Sequence, residues 1–307
     1  MYRYYKKDEF DVMEYDFDSI MEFIDYLDNT PTNVDIWDLK ELGSSDDDYE
    51  FFKTHSLQEA EALCKYGYHE DFDKLIKLKV NLEKYIKKTY KRSKQYNYYV
   101  GYAPDVKAYL EGNPLSMFNR ENHKRKHIDI YYNLAVSCRT TTNQIFNRGV
   151  ITLCLTEMLE NMGFSVGLYI FTMAECEGQI HFAKFNLKRA GERLNVQKLF
   201  FPLCHPSFLR RLVFRLYEET PDIKYGWTHG YGFPCDDYTI RQIMDLKENN
   251  IVICKPEEMG VRGYNIVDDA NAMVDYINKF TSEDIKLEHL KRERRLGSTL
   301  FSGVILK

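Results

Sequence analysis

The sequence predicts a three-layer α/β fold with a mostly parallel central sheet and an α-helical N-terminal region, and three neighbouring patterns carry that expectation. Ile128, Ile130, Tyr132, Leu134 and Val136 alternate with Asp129, Tyr131, Asn133, Ala135 and Ser137, the period-two signature of a strand. From Asn143 to Met162, the residues Ile145, Phe146, Val150, Leu153, Cys154, Met158 and Leu159 recur at helical spacing, with Gly163 at the expected stop. Val166 to Phe171 then reads as a second strand. Strand, helix and strand at this spacing make the unit that builds a parallel sheet by right-handed crossover.

Along the chain, residues 1–55 form an acidic N-terminal region in which carboxylates alternate with Phe10, Tyr15, Phe17, Phe23, Tyr26 and Trp37. A helix is expected over 16–28 and a loop at 43–49. Residues 56–118 read as a helical region and connector. Ser56-Leu57-Gln58-Glu59 fits a capping box and Gly67 a stop, which predicts a helix at 57–66. Leu75, Leu78, Leu82, Tyr85 and Ile86 continue the helical spacing from Phe72 to Tyr90, and residues 96–118, with Gly101, Pro104, Gly112 and Pro114, read as a strand and turns wrapped around a short helix at 105–110. Residues 119–281 hold the α/β domain. Beyond its first two strands come a strand at 179–187, helices at 206–217 and 237–247, the strand 251–254 and a helix at 268–280. Residues 282–307 read as an exposed basic tail with Lys291, Arg292, Arg294 and Arg295.

Composition narrows the class. The 44% apolar content of 307 residues suffices for a sizeable core, and sparse Gly (16) and Pro (8) argue against a linker-rich or fibrous chain. Seven cysteines, odd in number and widely spread, are expected to be free thiols in a reducing compartment. The N-terminus lacks an apolar stretch of signal-peptide length and no apolar run reaches membrane-spanning length, so neither export nor membrane insertion is expected. Residues 1–50 carry sixteen Asp/Glu against four Lys/Arg, a net −12 that leaves +7 for the remainder. The charge is polarised along the chain.

The run Asn133-Leu134-Ala135-Val136-Ser137, the long helix after it, and Ser165-Val166-Gly167-Leu168-Tyr169-Ile170-Phe171 resemble a von Willebrand factor A-like domain, a Rossmann-like architecture, over residues 127–280. In that family an Asp-x-Ser-x-Ser loop after the first strand holds a divalent metal that an acidic group of the partner completes. Here the corresponding residues are Asn133, Ala135 and Ser137, so the resemblance implies a degenerate metal site, with no metal and no cofactor. A hard cation needs charged oxygen ligands to offset its dehydration, and Asn133 offers only a neutral carbonyl. The phrases Asp105-Val106-Lys107-Ala108-Tyr109-Leu110-Glu111-Gly112-Asn113-Pro114 and His205-Pro206-Ser207-Phe208-Leu209-Arg210-Arg211 resemble an uncharacterised family of bacteriophage and mobile-element proteins. That likeness implies the cytoplasm of a host cell, or association with a virion, and brings no activity with it.

Four groups of residues stand out chemically. His205, Arg210 and Arg211 read either as an anion cradle at a helix start or, the favoured alternative, as a capped helix whose arginines pair with Glu218, Glu219 or the acidic N-terminal region. Cys204, His205, His229 and Cys235 hold zinc-type donors without finger spacing, and packed cysteines with ordinary histidines are the preferred reading. The stretch Gly226 to Pro234, with Trp227 and His229, is either a ligand-contacting loop or a surface loop pinned by Trp227 and Phe233. Finally, Lys87, Lys88, Lys91 and Arg92, with Lys124, Arg125 and Lys126, form basic clusters interleaved with tyrosines between residues 84 and 127. They suit nucleic acid through phosphate contacts and stacking, or a solvated face docked on the acidic region.

Phosphate-binding Gly-x-x-x-x-Gly-Lys-Ser/Thr, Gly-x-Gly-x-x-Gly, Gly-x-Ser-x-Gly and His-Glu-x-x-His patterns are all missing. The leading expectation is therefore a non-enzymatic protein-interaction or assembly protein with a protein partner. Nucleic-acid binding or processing through 84–127 stands as the alternative, and an enzyme around His205 and His229 as a weaker third.

Overall fold

The structure, a computed structural model, describes residues 2–30, 46–85, 95–120, 126–220, 223, 232–247, 250–280 and 287. Its strands are β1 (Tyr2–Lys7), β2 (Phe10–Phe17), β3 (Gln95–Tyr98), β4 (Ala103–Pro104), β5 (Met117–Arg120), β6 (His127–Asn133), β7 (Ser165–Cys176), β8 (Gln179–Lys188), β9 (Phe233–Pro234) and β10 (Ile251–Ile253). The main sheet runs β1-β2-β8-β7-β6-β10, with β9 paired to the end of β7, while β3-β5-β4 make a separate sheet. The main sheet is mixed: β1, β6, β7 and β10 run one way, and β2 and β8 the other.

The helices are α1 (Ile20–Asn29), α2 (Asp46–Phe52), α3 (Leu57–Tyr66), α4 (Phe72–Tyr85), α5 (Val106–Leu110), α6 (Thr142–Asn161), α7 (Val196–Cys204), α8 (Phe214–Glu218), α9 (Asp237–Met244), α10 (Pro256–Met259) and α11 (Ile266–Phe280). A π-helical turn, Phe208–Val213, leads into α8.

One row of side chains organises the core. Phe17, Phe185, Ile170, Tyr132 and Ile253 face each other across β2, β8, β7, β6 and β10, and all five are buried. Phe17 stacks on Phe185 at 5.4 Å, and Phe23 of α1 closes over Phe185 at 4.7 Å. The opposite face is more open: Tyr131 and Tyr169 stack at 5.1 Å yet stay half-buried beside Asp16, Lys184 and Asn186. Among the described residues the expected third layer is thus incomplete over these strands.

The crossover forms as the sequence predicts, with a shorter first strand. β6 stops at Asn133 because its Oδ1 accepts the Ala135 N–H at 2.9 Å, a side-chain turn that competes with the ladder. α6 starts behind a complete capping box made by Thr141 and Gln144. At the 57–66 helix only half of the expected box forms: Ser56 Oγ accepts from Glu59 N, while the Glu59 carboxylate takes the His55 N–H.

The N-terminal region differs most from expectation. The helix expected over roughly 16–28 forms as α1, beginning at Ile20 behind the Ser19 cap, but residues 2–17 before it form an unforeseen hairpin whose second strand pairs in parallel with β8. The alternation of aromatic and acidic residues is a strand pattern: Val12, Met13, Tyr15 and Phe17 are buried, while Asp16 pairs with Lys184 of the neighbouring strand at 2.9 Å. The loop expected at 43–49 is helical from Asp46, and residues 43–45 lie outside the described residues. The strand and short helix expected within 96–118 form, as β3 and α5, but their assembly into the β3-β5-β4 sheet was not foreseen, nor was α7. The basic tail 282–307 also lies outside them, except for Leu287, which is buried.

α6 and α7 meet at Gly149. A Cβ there would sit 2.4 Å from the Leu203 carbonyl oxygen and 2.5 Å from Cys204 Sγ, so only glycine permits this approach. Gly149→Ala is expected to cost about 2–3 kcal/mol by overpacking, measured as a lower urea midpoint at unchanged slope.

Candidate functional site

The strand order turns at β6, with β7 on one side and β10 on the other, and in open α/β sheets such a point marks the ligand crevice at the carboxyl ends of the strands. Asn133 sits there, buried, and its Oδ1 is committed to the Ala135 N–H. Among the described residues its Nδ2 has no hydrogen-bond partner. Ser137 Oγ accepts the Arg139 N–H at 3.3 Å, and Thr140 Oγ1 donates to Glu257 Oε1 at 3.1 Å. The loop is closed upon itself. These donors do not fit a divalent cation, because the one oxygen of Asn133 is already taken and Ala135 offers none. Among the described residues no group of three His, Cys, Asp or Glu could hold a metal.

Beside this loop, Cys254 Sγ donates to Asp237 Oδ1 at 3.3 Å and accepts from Tyr276 OH at 3.2 Å. Burial, with the Asp237 charge, pushes the Cys254 thiol up, and burial pushes Cys235 up to about 12. Both therefore stay protonated and lack thiolate reactivity.

His205 is boxed by aromatics, stacked on Phe201 at 5.0 Å and edge-on to Tyr68 at 4.9 Å. Its Nδ1 accepts the Ser207 N–H at 3.2 Å. Burial drives its pKa down to about 4, so it is a neutral packing residue. His229 and Trp227 lie outside the described residues, as do Lys87, Lys88, Lys91, Arg92, Lys124 and Arg125, while Lys126 is exposed just before β6.

Arg210 and Arg211 are buried, and both guanidinium groups are bonded to segment 51–54. Arg210 donates to the carbonyls of Phe51 (2.7 Å) and Thr140 (3.1 Å) and lies over the Phe51 ring. Arg211 donates to Thr54 Oγ1 (2.8 Å) and Thr54 O (2.6 Å) and lies over Phe52. Ser207 Oγ completes the clamp by donating to the Phe52 carbonyl. Arg215 makes the expected pair, with Glu219 at 2.8 Å. The motif is a lock on segment 51–54. Because stacked, multiply bonded guanidinium groups find their partners in backbone carbonyls, charge arithmetic on the sequence could not locate them.

The structure also exposes aromatics that the sequence reading did not single out as a group. Phe233, Tyr238 and Tyr264 are 54%, 75% and 87% exposed. Phe233 pairs with Glu175, beyond the point where β6 ends against Phe171. Tyr238 lies in the first turn of α9, next to the Asp237 that bonds Cys254. Tyr264 follows Gly263, which packs against Gln144 at the start of α6. All three therefore belong to the carboxyl edge. The only signal in the sequence was aromatic residues in turn-rich loops.

Together these features define an α/β protein with a mixed central sheet and a self-closed loop at its switch point. Residues 5–284 match DUF7192, a domain of unknown function, and the chain belongs to that family. No curated protein and no solved structure matches it. Among the described residues no helix is long and apolar enough to cross a membrane.

Two outcomes follow for the buried groups. The folded-state pKa of His205 lies below its ordinary 6.5, so its contribution is complete above pH 6.5 and is lost as pH falls toward 4. That loss is on the order of 3 kcal/mol. Chemical denaturation near neutral pH and near pH 4 should show this component in the wild type and not in His205→Asn. Arg211→Lys, which keeps the charge but loses the fork and the stacking, is expected to cost about 2–4 kcal/mol and to speed amide exchange at residues 51–55.

Proposed function

We propose that the chain is a non-enzymatic interaction or assembly protein of phage or mobile-element origin, working in the host cytoplasm or on a virion. We further propose that its scaffold is von Willebrand factor A-like. The β6-α6-β7 crossover, antiparallel β8 beside β7, and β10 on the far side of β6 support that scaffold. The observation that carries the function is the exposure of Phe233, Tyr238 and Tyr264 at the carboxyl edge, where such sheets place their ligands. Exposed Arg139, Asp236 and Glu257 add charge around them. Aromatic anchors with a polar rim suit a folded protein partner better than a small substrate.

Removing the acidic region would not test this, because β2 is an inner strand of the sheet. The triple variant Phe233→Ala/Tyr238→Ala/Tyr264→Ala alters only exposed side chains and should keep the wild-type circular dichroism and melting temperature. Cross-linking followed by mass spectrometry in the producing cell should then recover the wild type's partner at least about tenfold less well, the loss expected on removing interface anchors. Equal recovery with the variant rejects the carboxyl edge as the docking face.

A further inference from the structure

Between α4 and β6 the chain builds a second unit, the β3-β5-β4 sheet with α5 inserted between β4 and β5. α5 is short, but its backbone is held at both ends. Asp105 caps it through the Ala108 N–H and accepts Asn97 Nδ2 of β3 at 2.9 Å, while the Asp105 N–H donates to the Ser116 carbonyl at 2.8 Å. At the far end Gly112 takes a left-handed conformation, its N–H donates to the Tyr109 carbonyl at 3.0 Å, and the Asn113 N–H donates to the Ala108 carbonyl at 2.9 Å. That pair of bonds closes the last turn in the way that needs glycine after the cap.

This fixed helix is inside out. Ala108, its smallest side chain, is the buried one, whereas Val106, Tyr109 and Leu110 are 63%, 69% and 78% exposed. Spacings of three and four put these three side chains on one face of the helix, a stripe that a globular protein ordinarily turns inward. Single exposed apolar residues are ordinary. A stripe of them on a rigid support marks a surface that docks.

Charge says what docks there. Residues 95–118 carry only Asp105, Lys107 and Glu111, and Asp105 is committed to the cap. Lys107 and Glu111 lie exposed along one flank of the apolar stripe and pair only loosely with each other, at 3.9 Å. A strongly charged partner meets no opposing field on such a face, but a second α5 does. Laid antiparallel about a two-fold axis at Tyr109, two copies of the helix bring Lys107 of each against Glu111 of the other, while the two apolar stripes close together. The face is thus complementary to itself, as a two-fold contact requires.

We infer that α5 is a self-association face, through which two copies of this chain pair antiparallel, stripe to stripe. The three side chains expose on the order of 400 Å², about half of the roughly 800 Å² per partner in a standard stable interface. The pairing is therefore reversible and set by protein concentration. α5 shares no residue with Phe233, Tyr238 and Tyr264, so this inference and the carboxyl-edge proposal stand or fall separately.

Sedimentation velocity of the full chain tests it, at low salt and from about 5 to about 500 µM, the range in which a contact of this size dissociates. The wild type should move from monomer toward dimer across that range. Val106→Gln/Tyr109→Gln/Leu110→Gln replaces only exposed side chains with a good helix former and should weaken dimerisation at least about tenfold. Lys107→Glu alone and Glu111→Lys alone each set like charges together twice per dimer and should weaken it about threefold or more. An equimolar mixture of those two single variants restores opposite charges at both contacts and should regain the wild-type affinity. Circular dichroism verifies that each variant keeps its fold. A chain that stays monomeric at the highest concentration, a dimer that the glutamine variant leaves intact, or a mixture no tighter than its two components overturns the proposal. So does a cross-link in the producing cell to a different protein that the glutamine variant loses while the wild type remains monomeric.

Discussion

A cation held deep in the core ties this fold together. Arg148 is buried, and among the described residues it pairs with no carboxylate. Its guanidinium lies 4.4 Å from the centre of the Tyr132 ring, donates to Tyr132 OH at 3.0 Å and to the Cys254 carbonyl at 2.8 Å. The Tyr132 hydroxyl donates onward to the Leu203 carbonyl at 3.0 Å. One side chain on α6 thereby fixes the carboxyl end of β6, the chain leaving β10 and the end of α7. A buried charge is tolerable only when its donors are satisfied, and hydrogen bonds to a charged group stabilise by about 1.5–3 kcal/mol each. Gly149, next in sequence, makes the bracket possible by letting α7 approach.

The same device recurs at the edge of the sheet. Arg210 reaches the Thr140 carbonyl in the loop after β6 and the Phe51 carbonyl in the N-terminal segment, and Arg211 holds Thr54. Opposite them, the buried carboxylate of Asp269 accepts the N–H groups of Arg262 and Gly263 and the amide of Asn147, which pins the 260–265 turn to α6. The loop at the switch point is thus tied to Arg210 on one side and to Glu257 on the other, while the separately pinned 260–265 turn and the first turn of α9 carry Tyr264 and Tyr238 into solvent.

Legibility in the sequence followed the range of the interaction. The crossover from Ile128 to Phe171 was readable because hydrophobic period reports local geometry, and the boundaries at Thr142 and Gly163 follow from caps and glycine. The hairpin of residues 2–17 was hidden because its outward carboxylates made the stretch look too charged for a core element, although Asp16 finds its partner 168 positions later in Lys184. The fate of the arginines was equally hidden. A sequence shows where a cation stands but not whether a carboxylate, a carbonyl or a ring will meet it.

What the sequence determined by itself was the α/β class, the central crossover and the poverty of the Asn133-x-Ala135-x-Ser137 loop in metal ligands, since each depends on residues within a few turns of one another. Only the tertiary structure decided the mixed sheet, the arginine clamp on residues 51–54, and the exposure of Phe233, Tyr238 and Tyr264 at the carboxyl edge. Burial and exposure are products of how distant segments pack, and a tyrosine has the same letter whether it fills the core or waits at the surface.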